Sequence, residues 1–528
     1  MSNKKGNDNS FIQKVKNIDE YFQTKNFLTP CVEAFQTTVL KSNNYFDLRD
    51  QLFEHCLVGT LQDTLLRPIA WRIFLGILPC DIVTTLSDWV DIVRKNRLEY
   101  MKKKARPPSK KMLDKGDPLT KDGQWGSYFD DQSLRKVIDL DIQRTYQNKV
   151  LFCEQSMKDL LINILFVWSK ENSYISYRQG MNEILALLVF AMFPFYFPFG
   201  NKEDSINLIT KEMLSNPIPN ARTIYAFFHD EGYFEADLYT MFNEIMKEGV
   251  TSLYMTKKVN KDAKSIELFD DIYSPNDYNN ENADWIYRRC GRVMRHILEE
   301  YDNDLYTFFN KNKVDCATFM QRWLKCFFCR EFHPKDAIIL WDAILTQERV
   351  AIINKTNKDF EFIDYIAVAM LVYIKDLVIG RDPNDCLLRL FKYPPVESPF
   401  TLVKLAMKIQ NNIKLRKEAE KVRTENNKII KGGSTIKEDI QKPVIKKDNR
   451  TQFQKNFIPL PDSIYSFLNS KASQDKEFVE NIKKQISNQN KEIINKLDDI
   501  KNRYKDKYSK EDSSDFEFII DILKKKLV

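Results

Sequence analysis

Two short polar clusters interrupt an otherwise apolar part of this 528-residue chain, and they carry the side chains best suited to chemistry. The clusters are Ile138-Asp139-Leu140-Asp141-Ile142-Gln143-Arg144-Thr145 and Tyr177-Arg178-Gln179-Gly180-Met181-Asn182-Glu183-Ile184. An arginine stabilises charge that develops on a transferred phosphoryl group, and a glutamine orients the attacking water. An arginine beside a glutamine can supply both groups to a GTPase from outside, and neither needs a shifted pKa. Arg144 and Gln179 are therefore the candidate catalytic pair.

One amphipathic helix separates the two clusters. Its apolar residues recur at spacings of three and four, at Met157, Leu160, Leu161, Ile164, Leu165 and Trp168. This pattern predicts a helix over about 155–170 with one buried face. Such a helix is roughly 24 Å long, and the nine-residue return to Gln179 spans up to roughly 30 Å. Arg144 and Gln179 can therefore meet.

Each candidate also has a plain structural interpretation. Arg144 lies three residues after Asp141, and such a pair commonly forms a surface ion pair on a helix. Gln179 fits an ordinary turn before Gly180. Asp141 is better suited to orienting Arg144 than to chemistry of its own.

Other kinds of chemistry find little support in the sequence. We find no Gly-Lys-Ser/Thr phosphate loop, no GxSxG and no HExxH, and the chain has only four histidines, which argues against hydrolases that depend on histidine or a metal. The net charge of +7 arises in the tail, where acidic residues are mixed with the basic ones. We therefore expect no nucleic-acid partner.

The nine cysteines are scattered and odd in number, and no signal sequence precedes them, which indicates reduced thiols in the cytosol. Cys326 and Cys329 have CxxC spacing, but no second ligand pair follows and His333 does not complete a site. Buried thiols and no metal are therefore expected.

The most apolar stretch, Ile184–Phe199, has 16 residues and contains Pro194 and Pro198. It is shorter than the roughly 20 residues needed to cross a bilayer. We interpret it as a core helix, so that the chain has no transmembrane segment and any membrane association comes through partners.

Helical spacing continues nearly everywhere before residue 410, and only 14 residues are glycine, so an all-α fold is expected. Two more stripes predict helices with one buried face: Ile286, Cys290, Val293, Met294, Ile297, Leu298 and Tyr301, and then Ile363, Ile366, Ala367, Met370, Leu371, Ile374, Leu377 and Val378. The polar stretch at about 257–284 is predicted to be an inserted loop.

After about residue 410 the sequence becomes charged and rich in Asn and Lys, which indicates a flexible linker. Apolar residues then recur at threes and fours between Val479 and Tyr504 on a strongly charged helix. This pattern fits a coiled-coil or docking helix, and it fits a solvated helix folded back on the body equally well.

The paired clusters resemble motifs of the TBC-domain GTPase-activating proteins for Rab GTPases. Ile138, Asp141 and Arg144 fit the IxxDxxR motif, and Tyr177, Gln179, Gly180 and Met181 fit the YxQGM motif. Further matches are the opening RxxxW motif at Arg67-Pro68-Ile69-Ala70-Trp71, the following Leu75-Gly76-Ile77-Leu78-Pro79, and the later Arg322-Trp323-Leu324, Arg330-Glu331-Phe332 and Leu340-Trp341-Asp342.

The resemblance implies a large multi-helical TBC domain over residues 46–400, preceded by an N-terminal extension at 1–45. The polar insertion at about 257–284 lies within that domain, and a linker at 401–475 and a charged helical tail at 476–528 follow it.

The same resemblance implies that Arg144 and Gln179 are two fingers supplied in trans to a GTP-bound Rab, with Asp141, Tyr177, Gly180, Met181, Arg67 and Trp71 in support. GTP and Mg²⁺ then belong to the Rab, and the chain needs no cofactor of its own. Trp71, Trp323 and Trp341 are expected in the core, while Arg67 serves either in a buried ion pair or at the Rab surface.

Further detail resembles the retromer-linked, late-endosomal branch of that family, notably Asp117-Pro118-Leu119 before Trp125 and Met370-Leu371-Val372-Tyr373-Ile374-Lys375-Asp376. This implies a cytoplasmic protein recruited peripherally to endosomal membranes, with a retromer-like coat among its partners. One departure is Arg144-Thr145-Tyr146-Gln147, where many members have Thr-Phe-Pro. Tyr can replace Phe in packing, but we expect the missing proline to loosen the loop.

The tail segment Asp515-Phe516-Glu517-Phe518-Ile519-Ile520 resembles an autophagy-receptor interaction motif, with Phe516 and Ile519 as anchors for a ubiquitin-like protein. The same residues fit an amphipathic helix. Two function classes follow for the whole chain: a GTPase activator in membrane traffic, or a catalytically silent TBC scaffold that binds a GTPase or a coat complex.

Overall fold

The fold is described by a computed structural model over residues 27–42, 44–105, 124–199, 209–215, 220–255, 284–354 and 359–432. The longer helices in this part are α1 (Leu28–Ala34), α2 (Tyr45–Val58), α3 (Arg67–Phe74), α4 (Leu86–Lys104), α5 (Gln124–Ile142), α6 (Gln155–Glu171), α7 (Met181–Met192), α8 (Ala221–Phe228), α9 (Phe234–Ile245), α10 (Trp285–Val293), α11 (Asn303–Lys311), α12 (Ala317–Lys325), α13 (Pro334–Ile353), α14 (Phe362–Tyr373), α15 (Pro383–Phe391) and α16 (Pro399–Gly432).

Shorter helical pieces connect them. Single α-turns lie at Val150–Cys153, Lys211–Ser215, Glu248–Thr251, Glu299–Tyr301 and Lys375–Val378, and 3₁₀ turns at Leu61–Thr64, Phe193–Phe195, Glu231–Tyr233 and Ser252–Tyr254. Phe35–Leu40 and Met294–Leu298 are π-helical. Within the described ranges the only β-structure is an isolated bridge between Phe197 and Asp230, which confirms the all-α prediction. None of the described helices is both long and apolar enough to span a membrane.

The helix predicted between the two polar clusters is α6, which extends over Gln155–Glu171. Its predicted face is buried except for Leu160, which is half-buried. The helix ends at Asn172, whose side-chain amide donates to the carbonyl oxygen of Trp168 at 2.9 Å. Helix α6 packs against both α5 and α7, so the loops at the ends of these helices are neighbours.

The apolar stretch 184–199 was expected to form one core helix, but the helix ends before the stretch does. Helix α7 ends at Met192, and a 3₁₀ turn at Phe193–Phe195 follows. Pro194 lies in that turn, and a proline lacks the N–H that an α-helix interior requires. The residues of α7 are nevertheless buried almost throughout, as a core helix requires.

The other two predicted stripes are interrupted as well. The first begins in α10 and passes through the π-helical turn Met294–Leu298. The second ends as α14 at Tyr373, where Ile374 leaves helical geometry, and Lys375–Val378 forms a separate turn. The Lys375 ammonium contacts both carboxylate oxygens of Asp302 at 2.8 and 2.9 Å, which holds that turn against the start of α11.

The packed body begins and ends beyond the predicted limits of 46–400. At the N-terminal side, Cys31, Phe35 and Val39 are buried in the core. At the other side, α16 continues to Gly432 and packs against α14, with Leu402, Val403, Ala406, Ile409 and Ile413 buried. The core therefore includes residues that the sequence interpretation assigned to an N-terminal extension and to a linker.

The chain divides into two compact units, Met1–Asp439 and Ile440–Val528. The second unit lies outside the described residues, and so do the predicted tail at 476–528, its Phe516 and Ile519, and the predicted insertion at 257–284 except for Asp284. Those assignments stay predictions.

Candidate functional site

Arg144 lies in the turn that follows α5, with its side chain 66% exposed. Its Nη2 contacts Oδ1 of Asp141 at 2.5 Å, and its Nε donates to the carbonyl oxygen of Leu140 at 3.2 Å. An arginine at the last turn of a helix commonly satisfies a free carbonyl in this way. The ion pair expected from the Asp-x-x-Arg spacing therefore forms, and it leaves the guanidinium at the surface.

Gln179 lies in the turn that leads into α7 and is exposed. Gly180 follows it with a φ of +105°, a backbone conformation that a residue with a Cβ rarely adopts. A Cβ added to Gly180 would meet Cys326 Sγ at 3.4 Å, which is an ordinary contact, so backbone conformation rather than space requires the glycine. Among the described residues, the structure gives the Gln179 side chain no hydrogen-bond partner.

A buried hydrogen-bond network ties the two turns together. The Tyr177 hydroxyl donates to Asp141 Oδ2 at 2.8 Å and lies 3.1 Å from Asn182 Oδ1. The Gly180 N–H donates to the same Asn182 Oδ1 at 3.0 Å, so Asn182 Nδ2 faces the other way and donates to Thr145 Oγ1 at 2.9 Å. Thr145 Oγ1 in turn donates to the Asp141 carbonyl oxygen at 2.8 Å. Both predicted motifs thus share one network.

Asp141 links this network to the arginine. One carboxylate oxygen accepts from Arg144 and the other from Tyr177. Burial, followed by the hydrogen bond to Asp141 and the charge of Asp141, raises the pKa of Tyr177 far above its usual value. The phenol therefore stays protonated at neutral pH and remains a donor to Asp141, which fixes the carboxylate that contacts Arg144.

The turn that carries Arg144 is also held by packing, although it lacks the proline of many similar sequences. Tyr146 adopts a φ of +44°, packs edge-on against Phe190 at 5.3 Å between ring centres, and donates its hydroxyl to the Cys329 carbonyl oxygen at 3.2 Å. The side-chain amide of Gln147 donates to the Gln143 carbonyl oxygen at 2.7 Å. These contacts hold the turn at two positions, and the expected effect of the missing proline stays a prediction.

The segment after α12 lies behind Gly180. Burial raises the pKa of Cys326 to about 12, so this thiol is protonated at neutral pH. Arg330 Nε lies 3.9 Å from Glu183 Oε1, and burial raises the pKa of Glu183. In the described part of the chain no group of three His, Cys, Asp or Glu residues is arranged to hold a metal ion.

Of the predicted supporting residues, Asp141, Tyr177 and Gly180 belong to the network, and Met181 is buried beside it with its Sδ accepting from the Arg178 N–H at 3.4 Å.

Arg67 and Trp71 lie elsewhere, on α3. The Arg67 guanidinium forms two 3.0 Å hydrogen bonds with the Asp342 carboxylate on α13, and the Trp71 indole donates to the same carboxylate at 2.7 Å. Arg67 is buried, so of its two predicted roles the structure supports the ion pair. Trp71, Trp323 and Trp341 are core residues, as expected.

Two residues of the network, Thr145 and Asn182, were not singled out from the sequence. Thr145 follows the exposed Arg144, and Asn182 lies in the first turn of α7, each at the edge of its motif. A buried polar residue needs a hydrogen-bond partner, but nothing local in the sequence says that the partner of each lies in the other polar cluster.

Comparisons with known proteins identify the family. The Rab-GTPase-TBC domain family model matches residues 64–272 and 259–377. The chain is 25% identical over 361 residues to TBC1 domain family member 5 of Mus musculus, and this alignment covers 66% of this chain and 41% of that protein. It is 21% identical over 286 residues to GTPase-activating protein GYP1 of Saccharomyces cerevisiae, and this alignment covers 53% of this chain and 35% of that protein.

Among solved structures, the crystal structure of the Ypt/Rab-GAP domain of Gyp1p aligns with 74% of this chain and 100% of its own, at 18% identity and a TM-score of 0.48. The region of this chain that matches TBC1 domain family member 5 of Mus musculus spans less than half of the length of that protein. The family model matches more than half of the residues of this chain, and the chain therefore belongs to the Rab-GTPase-TBC domain family.

Proposed function

We propose that this chain accelerates GTP hydrolysis by a Rab-family GTPase, to which it supplies Arg144 and Gln179 in trans. One observation supports the proposal above the others: a single buried network joins the two motif turns while the side chains of Arg144 and Gln179 remain exposed. A pair of exposed polar side chains on a rigid, buried base is suited to entering a partner's active site.

The two side chains have different tasks. Arg144 stabilises the charge that develops on the γ-phosphoryl group, and Gln179 orients the water that attacks it. In the present geometry the guanidinium uses Nε and Nη2 for Leu140 and Asp141, which leaves its other N–H groups for phosphate oxygens. GTP and Mg²⁺ are brought by the Rab, and no nucleotide site on this chain is part of the proposal.

The test is single-turnover GTP hydrolysis by a panel of purified, GTP-loaded Rabs with and without the full chain. Stimulation of at least one Rab, lost on Arg144→Ala, is the expected result. Binding of a GTP-loaded Rab without any stimulation would instead support the scaffold. The Arg144–Asp141 ion pair is the observation that favours that alternative, because it gives Arg144 a structural role without chemistry.

The cellular setting belongs to the same proposal. From the resemblance to the retromer-linked branch, we expect peripheral recruitment to endosomal membranes, a role in vesicle traffic and a retromer-like coat as partner. Docking of a ubiquitin-like autophagy protein through Phe516 and Ile519 is the least supported of these. Alanine at both positions should abolish that binding and leave Rab hydrolysis unchanged.

A further inference from the structure

We propose that the hydrogen bond between Thr145 and Asn182 couples the two finger-bearing turns, and that these two positioning residues set the place of Arg144 relative to Gln179. This inference rests on the proposed function, because it concerns how the two fingers act together.

The bond joins the two turns next to the fingers themselves. Thr145 directly follows Arg144, and Asn182 holds the N–H of Gly180, which directly follows Gln179. The path from one finger to the other therefore passes through two side chains and two hydrogen bonds, at 2.9 and 3.0 Å. Each of these atoms lies within three residues of a finger.

The second link between the turns has a different purpose. The Tyr177 hydroxyl contacts Asp141, which in turn contacts the guanidinium of Arg144. That link acts on the side chain of one finger, whereas the Thr145–Asn182 bond acts on the backbone that carries both. A change at Thr145 therefore breaks the Thr145–Asn182 bond and removes neither partner of the link between Tyr177 and Asp141.

Burial makes the bond hard to replace. Thr145 is 1% exposed and Asn182 is 4% exposed, so water cannot easily take the place of either partner. Removing the Thr145 hydroxyl leaves Asn182 Nδ2 without an acceptor in the interior, and removing the Asn182 side chain leaves the Gly180 N–H without one; in either case the turn shifts to relieve that cost. A displacement of about 1 Å at a reacting group can lower a rate roughly 10²-fold.

Thr145→Val is the sharpest single change, because valine keeps the shape of threonine and removes only the hydroxyl. Asn182 Nδ2 then loses its acceptor, and the Asp141 carbonyl oxygen loses one of its two donors, the other being the Arg144 N–H at 3.1 Å. The side chains of Arg144 and Gln179 stay exposed, so the surface presented to the GTPase keeps its composition.

Thr346→Val is the matched control. Thr346 is also fully buried, and its hydroxyl also donates to the carbonyl oxygen four residues earlier, Asp342, at 2.7 Å. Both substitutions therefore remove the same kind of buried hydroxyl, but Thr346 lies on α13 and does not join the finger turns. Thr145→Ser, which keeps the hydroxyl, is the conservative variant.

The first measurement is Rab hydrolysis over a range of concentrations of the full chain. For Thr145→Val and Asn182→Ala we expect kcat to fall about 10- to 100-fold while KM changes less than about threefold. Thr145→Ser and Thr346→Val should stay within about threefold of the wild type. In the double variant, Thr145→Val should add little to Asn182→Ala, because both break the same bond.

The second measurement is hydrogen exchange of the peptides that contain the Gly180 amide. We expect faster exchange there in Thr145→Val and unchanged exchange in Thr346→Val. Wild-type kcat in Thr145→Val, or unchanged exchange at Gly180, would overturn the inference. Absence of stimulation by the wild type would overturn the proposed function alone, because the exchange measurement still decides whether the bond holds the Gln179 turn.

Discussion

At the scale of single residues, the site separates the exposed side chains that are proposed to act on a GTPase from the buried side chains that hold them. Arg144 and Gln179 are exposed, while Asp141, Thr145, Tyr177 and Asn182 are buried. An exposed residue can be replaced at little cost in stability, whereas a buried, hydrogen-bonded one cannot. The two groups should therefore respond differently to substitution.

Arg144→Ala should abolish stimulated hydrolysis and leave the fold intact. An arginine finger contributes about 10³ to 10⁵ in kcat, and this side chain fills no core space. Arg144→Lys should also fail, because an ammonium cannot reproduce the planar fork of the guanidinium. Single-turnover hydrolysis and thermal unfolding measured on the same preparations test both statements, and wild-type stimulation by Arg144→Ala would contradict the role of this residue.

Gln179 is tested with a Rab whose own catalytic glutamine has been replaced. If Gln179 orients the water, this Rab should still respond to the wild-type chain, and Gln179→Ala should remove the response. Hydrolysis rates of the intact and the replaced Rab, measured side by side, give the answer. A chain that stimulates only the intact Rab would show that the Rab positions the water itself.

At the scale of elements, the sequence predicts helices well and the contacts between distant helices and turns poorly. The helix expected over about 155–170 is α6 at Gln155–Glu171, because a 3.6-residue period needs only local information. The contact of Arg67 with Asp342 joins residues 275 positions apart, and no local pattern contains it. The Thr145–Asn182 bond was missed for the same reason, although both polar clusters that contain these residues were identified.

The ion pair between α3 and α13 should matter greatly for stability. Asp342→Ala removes the two hydrogen bonds from the Arg67 guanidinium and the one from the Trp71 indole, and breaking a buried pair in this way costs about 3–5 kcal/mol. Asp91→Ala, which breaks the more exposed pair with Arg94, should cost about 1 kcal/mol or less. Urea unfolding of both variants measures the difference, and equal costs would argue against a structural role for the Arg67 pair.

Helix α16 offers a second test, with its control in the same helix. Ile409 is fully buried and Leu415 is 63% exposed. Ile409→Ala should lower the free energy of unfolding by about 2–5 kcal/mol, and Leu415→Ala by no more than about 0.5 kcal/mol. If Ile409→Ala had no effect on urea unfolding, residues after 400 would not be part of the folded body.

At the scale of the whole molecule, the thiols report on the integrity of the core. Of the nine free cysteines, only Cys153 is exposed. Burial raises the pKa of both Cys80 and Cys326 to about 12, so at pH 8 almost none of their reactive thiolate is present. A thiol-reactive aromatic disulfide should therefore label one cysteine per native chain quickly, and all nine after denaturation. Several fast thiols in the native protein would contradict the described packing.

The division between two exposed, proposed fingers and a buried base has a consequence for evolution. A lineage under selection for folding alone would retain Asp141, Tyr177 and Asn182, because the loss of any of them leaves a buried polar group without a hydrogen bond. The same lineage would tolerate replacement of the exposed Arg144 or Gln179. One exposed substitution is enough to remove the proposed chemistry and leave a well-folded binding protein. Catalysts and silent scaffolds of this architecture are therefore separated by a single mutational step, and that step costs the fold almost nothing.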